Sequence, residues 1–477
     1  MPLPFLSVLA AAAVTLAQVP SGNKLHAEGK YREAEAAFRG ELAAAESQWG
    51  QAHGETALVL NNLGITLFVG GRGGEAEPVM RRAISIWERN PGANRTNLAT
   101  ALNNLGAFLA AQGNNAGAEA LYVRALDLVD AGSPESAPVL TNLATLQAGR
   151  RNFARAEELQ RRAVAILEST LRPEDPRLGT GYSGLATVLQ AAGRMEEAES
   201  QFRRAHALHA RMLDPGHPQI ARDLANLAFV LRSMNRLNEA EALYREALTG
   251  IERSLGAQHP DYATMLNNLS RIRLSQGDAK TAQRLQEKAV GILEHTLGPD
   301  HPTVAAAYVN LADLHQAAKR FDRAEALLVR ALAIDERRLG PNHARTANDL
   351  ERLGHIANLR RNPRHAAEYL TRAWAINRQV FGAKSPEAAV SATYLAESYR
   401  ATGRASEAAA MFRDALDVLE KSWGRDDRRL LTPLENYEKA LRSVEDLAMA
   451  AKVEAWSMRI RVRHAITAGA PRTQDRT

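Results

Sequence analysis

The chain contains no cysteine. Disulfide bonds, thiol catalysis and lipid attachment at a cysteine are therefore excluded within these residues, although the redox compartment is not identified by this absence. Aromatic residues make up only 5% of the 477 positions, and nine of the 60 basic residues are lysine. The net charge of +6 is small for so long a chain. Because aromatic residues do not alternate with the densest basic cluster (Arg459, Arg461 and Arg463), no nucleic-acid partner is predicted.

Leucine and alanine, by contrast, are abundant and follow a 42-residue period. A leucine recurs at this spacing with a single 38-residue step, and alanines follow 13 and 20 residues after each leucine. This periodicity predicts an array of repeats in which each repeat buries its apolar face against the next. We number the repeats one to nine by their leucines, which are Leu63, Leu105, Leu143, Leu185, Leu227, Leu269, Leu311, Leu353 and Leu395.

Each repeat contains two helical patterns. In the fifth repeat, apolar residues recur at three-to-four spacing over 221–231 and again over 237–251. A residue that tolerates the left-handed conformation separates the two helices in six repeats, and proline begins the first helix in several. The recurring histidines before these helices are predicted to have a structural role at the helix start. The turn residues are Gly71, Gly113, Gly193, Asn235, Gly277 and Gly403, and the connector histidines are His217, His259, His301 and His343.

The repeats resemble the tetratricopeptide repeat in its kinesin-light-chain form. The signature is clearest in the segments Asn61-Asn62-Leu63-Gly64, Asn103-Asn104-Leu105-Gly106 and Asn267-Asn268-Leu269, and the similarity covers residues 22–457. The resemblance implies an all-α, right-handed solenoid that binds a protein or peptide partner. It departs from the family pattern at the third repeat, which arrives four residues early, and at Arg352 and Tyr394, which replace the usual asparagine.

The apolar segment from Leu3 to Ala17 resembles a secretory signal that is cleaved after Ala17. Export to the periplasm or secretion follows if this holds; otherwise a cytoplasmic protein is expected, with the segment forming a first helix that caps the array. The segment is short for a membrane span, so no stable span is predicted. The predicted organisation is a signal over 1–17, a partial repeat over 18–54, nine repeats over 55–428, a capping repeat over 429–468 and a disordered tail over 469–477.

Two motifs could suggest chemistry. Gly179, Gly181 and Gly184 spell a dinucleotide-binding pattern, but no strand precedes them, so no cofactor is predicted. His206 and His209 lie three residues apart on a predicted helix without a suitably spaced third ligand, so no metal is predicted. No cluster of acid, base and nucleophile stands outside the repeat pattern, so a hydrolase is only a remote alternative.

Six repeats place an asparagine just before the repeated leucine. A side-chain amide both donates and accepts hydrogen bonds, which suits an extended peptide backbone. In kinesin light chains and related proteins, such asparagines line the concave groove and hold the ligand backbone. Two interpretations stay open: the asparagines bind a peptide, or they bond to neighbouring helices and fix the superhelix. The predicted peptide-binding residues are Asn62, Asn104, Asn142, Asn226, Asn268 and Asn310.

The predicted function is a non-catalytic scaffold that binds a partner segment in this groove. Residues at neighbouring positions, including Arg222, Arg271, Asp313 and His355, vary in charge between repeats, as expected of a specificity surface or of any solvated one. The alternative is a structural subunit of an envelope or secretion assembly that binds through its outer faces or ends.

Overall fold

The computed structural model describes residues 21–89 and 95–469, and within these ranges the chain forms helices and no strand. The α-helices of the partial repeat and of the first four repeats are α1 (Ser21–Ala27), α2 (Tyr31–Trp49), α3 (Gly54–Val69), α4 (Gly73–Glu88), α5 (Arg95–Ala111), α6 (Asn115–Leu128), α7 (Ser136–Gly149), α8 (Phe153–Thr170), α9 (Pro176–Ala191) and α10 (Met195–Met212).

The remaining repeats continue the same alternation of first and second helices. They comprise α11 (Pro218–Ser233), α12 (Leu237–Ser254), α13 (Pro260–Ser275), α14 (Ala279–Leu297), α15 (Pro302–Ala317), α16 (Phe321–Arg338), α17 (Ala344–Leu359), α18 (Pro363–Phe381), α19 (Pro386–Ala401), α20 (Ala405–Trp423), α21 (Leu431–Ser443) and α22 (Leu447–Gly469). A short 3-10 helix at Arg428–Leu430 precedes α21.

The chain divides into two compact parts, which we call the N-terminal body (residues 1–311) and the C-terminal body (residues 312–477). In both bodies the two helices of a repeat pack against each other, and the first helices of successive repeats also touch, as α5 touches α7 and α17 touches α19. Second helices of successive repeats make no contact of similar extent in the described part of the chain. The first helices therefore form the inner layer. The predicted all-α solenoid is confirmed.

Small residues allow the two helices of a repeat to approach closely. A Cβ atom on Gly64 would lie 2.5 Å from Met80 Cγ, and one on Gly106 would lie 2.6 Å from Tyr122 Cε1. The second helices contribute alanines such as Ala76 that are fully buried. Because the backbones are this close, a methyl group at either glycine would require the neighbouring side chain to move.

The turns inside the repeats have the predicted left-handed conformation. Gly71 has a φ of +77° and Asn235 a φ of +63°. At the corresponding position of other repeats the same conformation is adopted without glycine or asparagine, at Arg151, Lys319 and Arg361. The repeat geometry therefore imposes a left-handed residue even where the side chain disfavours it.

The connector histidines cap the first helices, as predicted. In His217 and His259, Nδ1 accepts a hydrogen bond from the backbone N–H two residues on, at 3.1 Å in each case. His301 and His343 make the same bond at 3.0 and 3.1 Å. Accepting this bond requires a ring nitrogen without a proton, and burial lowers the pKa of both His217 and His259. Proline occupies the first turn of the following helix at residues 218 and 260.

Arginines near the turns join one repeat to the next. Arg236 Nη1 lies 2.7 Å from Glu199 Oε2 of the preceding repeat, and its Nη2 lies 2.6 Å from Glu239 of its own repeat. Arg194 bonds Glu157 and Glu197 in the same way. The pairs with Glu199 and Glu157 are partly buried, those with Glu239 and Glu197 are exposed, and their recurrence gives neighbouring repeats a common register.

Several predictions concern residues at the ends of the chain. The predicted signal at 1–17 lies outside the described residues, as does the predicted tail apart from Gly469, which ends α22. The first described helix, α1, has seven residues. Among the helices in the described ranges, none is long and apolar enough to cross a membrane.

Candidate peptide-binding groove

The six predicted asparagines lie on first helices, and four of them bond to the preceding repeat or partial repeat. In each bond the side-chain amide nitrogen donates to the amide oxygen of another asparagine. The pairs are Asn62 with Asn23 (3.4 Å), Asn104 with Asn61 (3.3 Å), Asn142 with Asn103 (2.8 Å) and Asn310 with Asn267 (2.9 Å).

The acceptors in three of these pairs were not predicted from the sequence. Asn61, Asn103 and Asn267 each stand two residues before a repeated leucine, whereas the donors stand one residue before it. The signal that could have identified them is the pair of consecutive asparagines before the leucine. Successive first helices touch, so the asparagine directly before the leucine of one repeat lies next to the asparagine two residues before the leucine of the preceding repeat. A structural role is therefore present at these positions.

The four bonded asparagines differ in how deeply their side chains are buried. The side chains of Asn104 and Asn142 are buried, with exposed fractions of 2% and 6%. A peptide backbone could not reach these amides without displacing the neighbouring helix. Asn62 and Asn310 are half-buried, and each already donates one hydrogen bond to its neighbour.

Asn226 and Asn268 differ from the other four because neither makes an amide bond to a neighbouring repeat in the described part of the chain. The acceptor position for Asn268 is held by Ala225, which has no polar side-chain atom. The corresponding position for Asn226 is Ser183, whose hydroxyl donates to Asp223 Oδ1 at 3.2 Å. Both asparagines are half-buried. Hydrogen bonds between the described repeats therefore do not involve the side-chain amides of these two asparagines.

Arginine and apolar residues stand beside these two amides on α11 and α13. Arg222 Nη2 lies 3.2 Å from Asp261 Oδ2, which joins the fifth and sixth repeats. The Arg232 guanidinium lies 5.0 Å from the centre of the Phe229 ring. Leu274, six residues beyond Asn268 on α13, is exposed. This part of the inner layer combines hydrogen-bonding amides with apolar surface and positive charge.

The C-terminal body replaces the asparagines with other chemistry. Arg352 forms an ion pair with Asp313 of the preceding repeat, and its Nε also donates to Asn348 Oδ1 at 2.8 Å. Tyr394 holds the same position in the ninth repeat and is 41% exposed. His355 lies one turn from Arg352, and burial followed by the arginine charge lowers the pKa of its imidazole. No asparagine amide is presented at these two positions.

A buried cluster in the N-terminal body contains a hydroxyl, an imidazole and a carboxylate. His209 Nδ1 donates to Asp223 Oδ2 at 2.5 Å, and its Nε2 donates to the Pro176 carbonyl at 2.8 Å. Both ring nitrogens therefore carry protons. Burial alone would lower the pKa of His209, but the bond to Asp223 outweighs it and the pKa is raised. No ring nitrogen is left to deprotonate Ser183, so the cluster is not arranged as a catalytic triad.

The pattern of His206 and His209 predicts two histidines on a solvated helix, and this is wrong for His209, which is buried and held by Asp223 and Pro176. Among the described residues, no group of three potential metal-ligating side chains comes together. The glycines of the dinucleotide-like pattern lie within α9, where Gly179 packs on His209 and Gly184 packs on Gln160. They serve close helix packing.

The C-terminal body buries carboxyl groups at two interfaces between repeats. Asp335 and Asp349 are both buried, and Arg345 Nε lies 3.0 Å from Asp335 Oδ2. Burial raises the pKa of both carboxyl groups, and the neighbouring Asp335 raises that of Asp349 further. This pair holds a proton more firmly than exposed aspartates do.

Glu351 forms the second interface in this body. Its carboxylate accepts hydrogen bonds from Ser391 and from Asn377 Nδ2, the latter at 3.1 Å. Burial raises the pKa of Glu351 to about 7, and the hydrogen bonds from Ser391 and Asn377 oppose that rise. The residue is therefore close to half protonated near neutral pH.

The basic cluster near the end of α22 is paired with carboxylates. Arg459 Nη2 lies 2.7 Å from Asp426 Oδ1, and Arg461 Nη2 lies 2.6 Å from Glu435 Oε1. Arg463 also pairs with Asp426. These contacts join α22 to α21 and to the segment before α21.

The helical hairpins, the paired alanines and the inner layer of first helices together define a tetratricopeptide repeat solenoid, the fold of protein-interaction scaffolds. The tetratricopeptide repeat family model matches residues 55–131, 97–169, 177–253, 223–295, 261–337, 303–379 and 366–421. The chain belongs to this family, and its repeats are of the kinesin-light-chain type.

Solved structures with related repeats include a Podosopora anserina protein described as a kinesin light chain with nearly identical TPR-like repeats. It is 27% identical, covers 43% of this chain and 96% of its own, and has a TM-score of 0.37. BtubC (BKLC) from P. vanneervenii is 28% identical over 47% of this chain and 90% of its own, with a TM-score of 0.38.

A Rap protein complexed with Competence and Sporulation Factor is 15% identical over 78% of this chain and 98% of its own, with a TM-score of 0.51. At that identity the likeness shows the fold alone. No curated protein matches this chain in sequence.

Proposed function

We propose that this chain is a non-catalytic scaffold that binds a peptide or protein segment along the first helices of the N-terminal body, with Asn226 and Asn268 holding the backbone of the segment. The observation that carries the proposal is that these two amides, unlike the other four, make no bond to a neighbouring repeat within residues 21–89 and 95–469. An extended segment could supply the donors and acceptors that they lack.

The neighbouring side chains give the proposed groove its selectivity. Phe229 and Leu274 offer apolar contact and Arg232 offers positive charge, whereas Arg222 is paired with Asp261. The Rap protein, crystallised with Competence and Sporulation Factor, is a protein of this fold that holds a bound factor. That precedent supports binding by this fold and says nothing of the ligand of this chain.

The non-catalytic part of the proposal is supported by the bonding in the buried cluster of Ser183, His209 and Asp223. His209 has both nitrogens engaged, and Ser183 donates to Asp223. The cluster thus has no free base, and its role is to hold the fourth repeat against the fifth.

The test is affinity capture from the extract and envelope fraction of the source cell, read by mass spectrometry. Three forms of the full chain serve as bait: the parent, the Asn226→Ala/Asn268→Ala variant and the Asn104→Ala/Asn142→Ala variant. The second pair is the matched control, because it removes the same number of amides from buried inter-repeat bonds. Circular dichroism checks that each bait is folded.

We expect a partner that is lost with the first variant and retained with the control. A partner that all three forms capture equally would contradict groove recognition. It would favour the alternative, a structural subunit of an envelope or secretion assembly that binds through outer faces or ends.

We also propose export of the chain through its apolar N-terminal segment, motivated by the run from Leu3 to Ala17. Cell fractionation of the full chain and of a variant lacking residues 2–17 tests this proposal. Recovery of both forms in the cytoplasm would refute it.

A further inference from the structure

Two turns near the start of the N-terminal body lie against connectors that come six repeats later. The imidazole Nε2 of His301 lies 2.8 Å from the carbonyl oxygen of Val69, although 232 residues separate them in sequence. One repeat earlier in each case, Gly29 lies against the ring of His259. We call these two contacts the clasp, formed by Gly29, Val69 and Gly71 on one side and by His259, His301 and Pro302 on the other.

The clasp uses the lack of a side chain at its glycines. A Cβ atom on Gly71 would lie 2.8 Å from Pro302 Cδ, and one on Gly29 would lie 2.8 Å from His259 Nε2. The turn glycines of the second and fourth repeats, Gly113 and Gly193, have the same left-handed conformation but would meet nothing within 4 Å. All of these turns share the left-handed backbone conformation. The clasp turns differ from the others because a connector packs closely against them.

The clasp holds the ends of first helices that carry candidate groove residues. His259 caps α13 and His301 caps α15 through their Nδ1 atoms, so the other ring nitrogen of each faces the turn. Asn268 lies eight residues beyond Pro260 on α13, which places it about 12 Å along the helix from the clasp. The same two histidines thus set the helix start and the closure of the N-terminal body.

The contact continues beyond the two turns. Arg32 Nη2 lies close to Gly298, where an added Cβ would lie 2.1 Å from it, and burial followed by the charge of nearby Asp261 raises the pKa of the Tyr31 phenol. No pair formed by α1, α2 or α3 with α13 or α14 packs extensively in the described part of the chain.

We propose that the clasp holds the N-terminal body closed at this point, and that the closure restricts the entry of a partner segment from the side toward Asn268. This inference rests on the proposed function only for the identity of what enters. The closure itself follows from the contacts above and is tested without a partner.

The chain contains no cysteine, so introduced thiols are the only groups that a thiol-specific label modifies. Spin labels on Lys30→Cys and Gln258→Cys flank the contact between Gly29 and His259, and both positions are exposed. Double electron–electron resonance then measures the distance distribution in the parent, in Gly71→Ala and in the matched control Gly113→Ala. Both alanines carry the same left-handed strain, but only the first meets Pro302.

We expect a single short distance in the parent and in Gly113→Ala, and an added longer population in Gly71→Ala. His301→Ala should shift the same balance by roughly five-fold, the effect of one net hydrogen bond. Identical distributions in Gly71→Ala and Gly113→Ala would overturn the clasp.

The second test measures access to the groove. A single thiol at Asn268→Cys is reacted with N-ethylmaleimide and with a maleimide carrying a 5 kDa polyethylene glycol chain. Gly71→Ala should raise the rate for the large reagent on the order of ten-fold, as expected from forced overpacking of the contact, and should leave the rate for the small reagent unchanged. Gly113→Ala should change neither rate.

An unchanged rate for the large reagent in a variant whose spin labels have moved apart would overturn the control of entry. Equal increases for both reagents would also overturn it, because they would indicate local unfolding of α13. Failure of the capture experiment, with both labelling results as expected, would reject the proposed function and leave the clasp in place.

Discussion

At one pair of equivalent positions between repeats, the N-terminal body holds a base and an acid, whereas the C-terminal body holds two acids. In the N-terminal body, His209 and Asp223, which are 14 residues apart, form a pair of opposite charges. In the C-terminal body the equivalent positions hold two carboxyl groups, Asp335 and Asp349. The repeat therefore fixes the distance between the two side chains, and the residues at these positions decide which protonation state is stable there.

The inner layers differ in a related way. The N-terminal body joins first helices through amide pairs such as Asn142 with Asn103, which keep the same hydrogen bonds at any physiological pH. The C-terminal body joins them through the ion pair of Arg352 with Asp313. At the asparagine position, first helices of this fold can thus be joined by a neutral bond or by an ion pair, and the N-terminal body also has an ion pair between first helices, that of Arg222 with Asp261. Four experiments test this difference.

The largest effect is expected from breaking the buried ion pair of the N-terminal body. Asp223→Ala leaves the His209 imidazolium buried without its partner, which should cost about 3–5 kcal/mol in the free energy of opening the fourth and fifth repeats. Native-state hydrogen exchange of α10 and α11 measures this quantity.

The matched change in the C-terminal body is Ser391→Ala, which removes a neutral donor to Glu351 and should cost about 1 kcal/mol in α18 and α19. Equal losses in the two bodies would contradict the assignment of an ion pair to His209 and Asp223.

The second effect is the pH dependence of the C-terminal body. The pKa of Glu351 is raised from 4.5 unfolded to about 7 folded, so the folded state binds more protons between these values. Stability therefore falls as pH rises from about 4.5 to 7, by about 3 kcal/mol for a shift of this size. Glu351→Gln should remove the contribution of Glu351 to this fall and preserve an acceptor for Asn377, while Asp335 and Asp349 keep theirs. Hydrogen exchange of α17 and α19 at pH 5 and pH 8 is the measurement.

The N-terminal body should lose stability in a higher pH window. The pKa of His209 is raised above its usual 6.5, so its contribution is fully present below that value and is lost as pH rises through the folded pKa. Exchange in α10 and α11 should thus stay constant between pH 5 and 6, where the C-terminal body already weakens. A common window for both bodies would refute this distinction.

The third effect separates structural amides from candidate binding amides. Asn142→Ala orphans the Asn103 oxygen in a buried position and should lower the free energy of opening by about 1 kcal/mol. Asn268→Ala breaks no inter-repeat bond and should leave stability unchanged within error. Thermal denaturation of the two variants side by side provides the check, and a similar loss in both would assign Asn268 to the superhelix.

The smallest effect concerns the left-handed turns that lack glycine. Arg151→Gly in the N-terminal body and Lys319→Gly in the C-terminal body should each raise stability by about 0.5–1 kcal/mol, because the relief of left-handed strain exceeds the entropy cost of glycine. Denaturant titration monitored by circular dichroism is sufficient. A loss of stability at either site would show that the arginine or lysine side chain makes a compensating contact.

The fold was predictable because its determinants recur. Every repeat supplies the leucine, the small residue after it and the paired alanines, and the structure uses them as the sequence indicated, for example in the packing of Gly64 on Met80. The capping by His217 and its equivalents was predictable for the same reason. Periodicity averages over repeats, so a signal that is weak in one repeat becomes clear in nine.

The site was predictable only in part, because its determinants are differences between repeats. The sequence identified the asparagine position, but a bond between two repeats depends on both residues, and the loss of the acceptor at Ala225 is visible only when α11 and α13 are placed side by side. Contacts such as that of His301 with Val69 depend on how far each repeat rotates from the last. No local pattern encodes that rotation.

The asparagine doublet has a consequence for how such arrays change length. A repeat that carries both asparagines, as at Asn103 and Asn104, donates to the repeat before it and accepts from the one after it. It therefore matches a copy of itself on either side, and duplication or excision of one such repeat leaves every amide with a partner. A repeat that carries Arg352 needs a particular neighbour with an acidic residue. A repeat with two consecutive asparagines can therefore stand next to any repeat of the same kind, whereas a repeat with the charged residue must follow a repeat that supplies the acidic partner.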